Sequence, residues 1–313
     1  MSTTPLSTSV ELTDKLKNDI KKSGFPLEVH VLNVCSTKNT GRMPNVKYEY
    51  LEKLREIDLH AFYEEIDLEP KRGTIVQHTS TDLIIECKKS ESKPWVFFSS
   101  PSYKMENVMY FMKYCSELDL YLEKRRLAPL LAQVYPSIKK SHYVNPKVPR
   151  CFNYYEAFKN ASTPSEIYGA IDSVLTYLLY LRASRQNRRE EFGVFSAFYL
   201  PVIVLDGLLF EASVGETDIE IRERPHLQLR TSYREEVFVV DVVTRNHFEQ
   251  FFNELETFHK EMVSAIGSIK FPKEFKRLVR NKIRSARDEF HTSPMFSMVM
   301  YDAKQRARTP GRP

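Results

Sequence analysis

The order of its apolar segments constrains the fold of this chain more than any other feature. Strand-type stretches come in two groups. The first holds "FPLEVHVLNV", "VKYEYLEKLREIDLHAFY" (two strands around a turn near Glu52-Lys53), "TDLIIECK" and "WVFF". The second holds "VIVLDGLLFEA" and "EEVFVVDVV". Helical patterns lie before, between and after them. Residues 9–23 place Leu12, Leu16 and Ile20 on one face, and "SYKMENVMYFMKYCSELDLYLEKRR" gathers Met105, Val108, Phe111 and Met112. Thr163-Pro164-Ser165-Glu166 starts a helix that runs to about Arg189, with a capping Thr, a Pro suited to the first turn and an acid to close a capping box. "NHFEQFFNELETFHKEMVSAI" adds a phenylalanine-rich face. The succession predicts an α/β fold in which helices sandwich a mixed central sheet.

Punctuation divides the chain further. Ser23-Gly24 and Pro26 end the first helix, and "TKNTGRMPN" reads as a loop. "KSESKP" reads as a turn between "TDLIIECK" and "WVFF", and Asp206-Gly207 as a tight hairpin turn. Residues 1–8 are expected to be disordered, 9–122 to form a core and 123–162 a linker or insert. Residues 163–270 supply the remaining helices and strands of the same or a closely packed domain. Residues 271–313 make a basic helix and tail ending in "AKQRARTPGRP".

Composition narrows the function classes. There are only nine glycines and no GxxxxGK or GxGxxG, so phosphate-cradling loops have no support. Cys35, Cys87, Cys115 and Cys151 are far apart with no CxxC, which argues against zinc ribbons and disulfide scaffolds and fits free thiols in a reducing cytosol. "MSTTPLSTS" lacks the apolar core of a signal peptide, and "VLTYLLYL" is too short to span a bilayer. A cytoplasmic protein without a membrane partner is expected. Its net charge of +5 permits nucleic acid as a partner without requiring it.

The stretch "TDLIIECKKSESKPWVFF" carries the chemistry. It begins as a buried strand, yet Glu86 and Lys88 interrupt it. Residues two apart on a strand share a face, so this acid and base project together while Cys87 points away. Burying either charge alone is costly, so each calls for a partner or a metal. "REIDLHAF" alternates, with Ile57, Leu59 and Ala61 on one face and Glu56, Asp58 and His60 on the other. If the two strands pair, Asp58 faces Glu86. Two carboxylates and an ammonium around one point suit Mg²⁺, with its preference for oxygen ligands. They also suit metal-dependent phosphodiester hydrolysis. Asp82 is a rival first acid on the same face, but it lies on Glu86's own strand. Glu56 and His60 read as surface residues, and His30, His60 and His78 lack metal-ligand spacing.

"EIDLHA" followed by "LIIECKKS", with the helix "ELTDKLKNDIKKSGFPLEVHV" upstream, resembles the PD-(D/E)xK, or restriction-endonuclease-like, nucleases. Mrr-type and bacterial defence-associated members are the most similar in style. The resemblance covers roughly residues 9–115 and lacks a proline before Asp58. It implies a restriction-endonuclease-like core that cleaves nucleic acid, DNA above all, with Mg²⁺ or Mn²⁺, in a prokaryotic defence or restriction setting. Asp58 matches the first acid, Glu86 the second and Lys88 the lysine that serves the attacking water. The backbone carbonyl of Cys87 matches a metal ligand, and Glu11 is the natural position for an added helix-borne acid. Many such nucleases work as homodimers. Separately, Arg182, Arg185, Arg188 and Arg189 end the middle helix as candidate phosphate contacts, or as ordinary cations at a helix C-terminus. Two alternatives stay open: an inactive nuclease-fold protein that binds nucleic acid or supports assembly, and a protein–protein adaptor using the aromatic-rich middle region.

Overall fold

The computed structural model describes residues 6–38, 40–67, 77–100, 116–119, 148–158, 164–186, 194–215 and 218–268. In chain order these form α1 (Leu6–Lys22), α2 (Phe25–Ser36), β1 (Gly41–Tyr50), β2 (Lys53–Asp67), β3 (Gln77–Ser99), β4 (Ser116–Asp119) and β5 (Arg150–Glu156). Then come α3 (Glu166–Gln186), β6 (Val194–Val214), β7 (Ile219–Glu223), β8 (His226–Tyr233), β9 (Glu236–Thr244), a 3₁₀ turn (Arg245–His247) and α4 (Phe248–Gly267). The α/β class and the mixed sheet are as expected.

The long parallel pair β3 and β6 is the spine of a 9-stranded sheet. β2 runs antiparallel along the first part of β3, with β1 outside it, and β5 takes up the last part. β4, β9 and β7 share the other edge of β6, and β8 joins β9 to β5. The pairings β3–β5–β8–β9–β6 therefore close on themselves, curving the sheet around α3.

The strands sort the core into two layers. On β2 the expected alternation of Ile57, Leu59 and Ala61 on one face breaks at Asp58: Ile57 lies in the layer under α3, and Leu59 and Ala61 in the layer under α2 and α4. Leu59, Ala61, Leu83, Ile85, Phe198, Leu200 and Val202 pack under α2 and α4, where Phe248, Phe251, Phe252 and Phe258 are all buried. Ile57, Ile84, Trp95, Phe97, Ile203 and Val240 pack against α3 through Ile171, Val174 and Leu178. The phenylalanine-rich face is as the sequence predicts, and Trp95 of "WVFF" is fully buried.

Several elements differ from the sequence reading. "FPLEVHVLNV" is the helix α2, not a strand. Its buried residues Leu27, Val31, Val34 and Cys35 follow a helical period, and Pro26 opens the helix instead of ending the one before. "KSESKP" is not a turn: β3 continues through it, with a register shift against β6 between Ser90 and Trp95. Asp206-Gly207 is not a hairpin either, because β6 runs straight on. Gly207 is needed for close approach, since a Cβ there would lie 2.5 Å from the Ser90 carbonyl oxygen. Ser116–Asp119, expected in a helix, is strand β4, and Arg150–Glu156, expected in a linker, is strand β5. Residues 6–8 belong to α1, while 1–5, most of 101–147 and 269–313 lie outside the described residues.

α1 forms as the period predicts, yet its Leu12, Leu16 and Ile20 stripe is exposed. No helix among the described residues is long and apolar enough to cross a membrane. α3 starts where the capping signal places it, but Ser165 supplies the cap, accepting the Tyr168 N–H at 3.3 Å; Thr163 lies outside the described residues. Ser165→Ala should cost about 1 kcal/mol of stability in a urea titration.

Candidate active site

A fork in the sheet sets the site. β2 pairs with β3 as far as Leu59↔Ile85, and β5 takes over at Trp95. Between them, residues 86–90 of β3 pair with β6 on one side and with no described strand on the other. Asp58 is the residue at which β2 leaves β3, and its Oδ2 accepts the Cys87 N–H at 2.7 Å. In an extended strand a residue's N–H and C=O project to the same side. The Cys87 carbonyl therefore faces the fork, as a metal-ligating carbonyl would need to.

Glu86 and Lys88 sit on the open stretch. Lys88 Nζ donates to Glu86 Oε1 at 2.5 Å. Glu86 is only 6% exposed, and its second oxygen, Oε2, is buried with no hydrogen-bond partner among the described residues. Burial, and then the charge of Asp58, push the Glu86 carboxyl up to about 7 despite Lys88. Asp58 is also raised, chiefly by burial, against the Cys87 N–H and Lys88, which lower it. Burial disfavours the Lys88 ammonium, but Glu86 and Asp58 outweigh it and hold the lysine charged.

A third acid among the described residues shares this field. Glu28 projects from the first turn of α2. Its carboxyl is raised by burial and then by Asp58 and Glu56, against Lys88, and its charge acts in turn on Glu86. Misreading α2 as a strand hid it. The sequence did hold a cue, a glutamate two residues after a proline at the start of an i, i+4, i+7, i+8 apolar pattern. The Glu11 side chain lies outside the described residues.

The remaining candidates fall elsewhere. Arg182 bonds Glu236 at the start of β9 at 2.8 Å, so it fastens α3 to the sheet. The Arg185 side chain, Arg188 and Arg189 lie outside the described residues. Asp82 is fully buried, accepting from Ser80 at 2.8 Å and meeting His60 Nε2 at 2.9 Å. His60, expected at the surface, is buried there and reaches the Tyr177 hydroxyl at 3.1 Å. This network ties β2, β3 and α3 together beneath the site, and it uses up Asp82 as a ligand. Cys35, Cys87 and Cys151 are free buried thiols, as expected.

Among the described residues no three His, Cys, Asp or Glu side chains are gathered so as to hold a metal by themselves. Mg²⁺ asks for less, one or two carboxylates completed by water and substrate oxygens. The Asp58 carboxylate, the Cys87 carbonyl and the unpartnered Glu86 Oε2 fit that requirement in oxygen chemistry and in charge. Comparisons with protein-family models, with curated proteins and with solved structures find no match for this chain.

Proposed function

We propose that this chain is a metal-dependent nuclease of the PD-(D/E)xK type, with a restriction-endonuclease-like core and DNA as its substrate. One observation carries the reading. Carboxyls from α2, β2 and β3 share one electrostatic field with Lys88 at the sheet fork, and a buried Glu86 oxygen has no partner. An acid cluster that keeps its members reluctant to ionise stabilises a cation strongly.

Asp58, Glu86 and the Cys87 carbonyl would hold Mg²⁺ or Mn²⁺. When bound, the ion lowers the pKa of a water and offsets charge on the phosphodiester. Lys88, held by its bond to Glu86, would orient the attacking water and stabilise the developing negative charge. Glu28, coupled to Asp58 and Glu86, would steer the shell around the ion from the α2 side.

Cleavage assays on plasmid DNA, single-stranded DNA and RNA test the reading. Strand scission is expected with Mg²⁺ or Mn²⁺ and none in excess EDTA. Glu28→Gln, measured in the same assay, should slow cleavage by about 10–100-fold, the usual cost of losing a residue that orients metal ligands. Salt-dependent binding with no scission under any divalent ion would leave a binding module in place of an enzyme.

A further inference from the structure

β7 is a short strand at an open edge. Among the described residues it pairs with β6 alone, and all five of its residues are exposed. Ile219 and Ile221 are 55% and 60% exposed. They lie beside Val214 and Ala212 of β6, so one face of the edge carries an apolar strip. The strand has no proline, no lysine and no bulge; its protection is its short length and the charges of Glu220, Arg222 and Glu223, which only a partner of matching charge would satisfy.

The hydrogen-bond phase fixes which groups point outward. The Arg224 N–H donates to Leu209 and the Gly215 N–H donates to Asp218, one at each end of the β6–β7 ladder. In an antiparallel ladder the hydrogen-bonded pairs alternate, so Glu220 and Arg222 turn their backbone groups toward β6. Ile219, Ile221 and Glu223 present theirs to the free edge.

We propose that this edge pairs with β7 of a second copy of the chain, antiparallel and centred on Ile221. The sequence of the strand, "IEIRE", is self-complementary in that arrangement. Ile221 meets Ile221 of the other copy as a hydrogen-bonded pair, and Ile219 meets Glu223 in the same way. Glu220 then lies opposite Arg222, and Arg222 opposite Glu220. These fall at the non-hydrogen-bonded positions, where side chains approach most closely. Within one chain the same Arg222 and Glu220 already bond to each other along the strand, so neither requires a new protonation state to exchange partners. The interface is isologous, with the same patch on both copies, and it makes one continuous sheet across the two-fold axis.

Sedimentation velocity on the full chain over a range of concentrations tests this. The wild type should show a concentration-dependent dimer. Glu220→Arg or Arg222→Glu alone places like charges opposite each other twice, and should raise the dissociation constant by about tenfold or more. The double swap Glu220→Arg/Arg222→Glu should restore the dimer. An equimolar mixture of the two single variants should dimerise at least tenfold more tightly than either alone, which also shows that both fold. A wild type that stays monomeric at every concentration overturns the proposal. So do single variants that dimerise like the wild type, which would move the contact to another surface such as the exposed stripe of α1.

Discussion

Cleavage lost in Asp58→Ala, Glu86→Ala and Lys88→Ala, each still folded by circular dichroism, is the expected result at the sheet fork. The single-turnover rate with Mg²⁺ should fall by about 10²–10⁴-fold or more in each. The three losses differ in cause. Asp58→Ala removes one candidate ligand and also frees the Cys87 N–H that it accepts. Glu86→Ala removes the oxygen that stands unpartnered and leaves Lys88 without its bonded acid. Lys88→Ala keeps both acids but takes away the cation that lowers Glu86 and Asp58, so the protonated, non-ligating form of each becomes more favourable. Residues acting as one unit are non-additive, and pairs of these substitutions should cost little more than the worse single one. A Lys88→Ala protein that cuts at the wild-type rate would remove Lys88 from the chemistry.

The sequence shows the ExK strand clearly, because charges inside an apolar run violate strand patterning and stand out. Asp58 is legible as the residue opposite Glu86 once the two strands are supposed to pair, although the alternation of β2 breaks there, with Ile57 in one layer and Leu59 in the other. What parity cannot show is that β2 leaves β3 at Asp58, which opens the fork and lets a side chain replace a ladder bond at the Cys87 N–H. Glu28 escapes because "PLEVHV" alternates over a few residues as a strand does. Its helical period shows only over the full twelve-residue stretch to Ser36. Asp206-Gly207 misleads for a different reason. Asp-Gly is a turn signal when the chain is considered alone, but here a neighbouring backbone, the Ser90 carbonyl, sets the need for glycine. Long-range contacts decided that position, and no local pattern reports them.

Removing the charge at position 86 should stabilise the protein when metal is absent. Burial, above all, pushes the Glu86 carboxyl up to about 7 in the fold, against 4.5 for the unperturbed group. The folded state thus holds the proton more tightly than the unfolded chain. Below about pH 4.5 the group is protonated in both states and contributes no difference. As pH rises from there to about 7 the unfolded chain ionises first, and the fold loses stability until the cost is fully present above pH 7. Each tenfold difference in proton affinity between the two states is worth about 1.4 kcal/mol, so that cost is on the order of 3 kcal/mol. Asp58 and Glu28 are shifted upward too, and they act with the same sign. Glu86→Gln keeps the shape and an acceptor for Lys88 but cannot ionise. In EDTA at pH 8 it should melt several degrees above the wild type, and near pH 4.5 the two should coincide. Added Mg²⁺ should raise the melting temperature of the wild type and leave the glutamine variant nearly unmoved, since a ligand that binds only the native state stabilises it in proportion to its affinity. The two effects share one origin. An acid held at the fork against its own solvation weakens the metal-free fold, and the cation that would relieve this is the one the proposed chemistry would use. Burial also pushes His259 down to about 4 and lowers His247, which strengthens the fold over the same window in both proteins, so the difference between them is the readout. A glutamine variant whose advantage in EDTA fails to grow between pH 4.5 and 7 would show that Glu86 is satisfied without a metal, and the case for a metal site would fall with it.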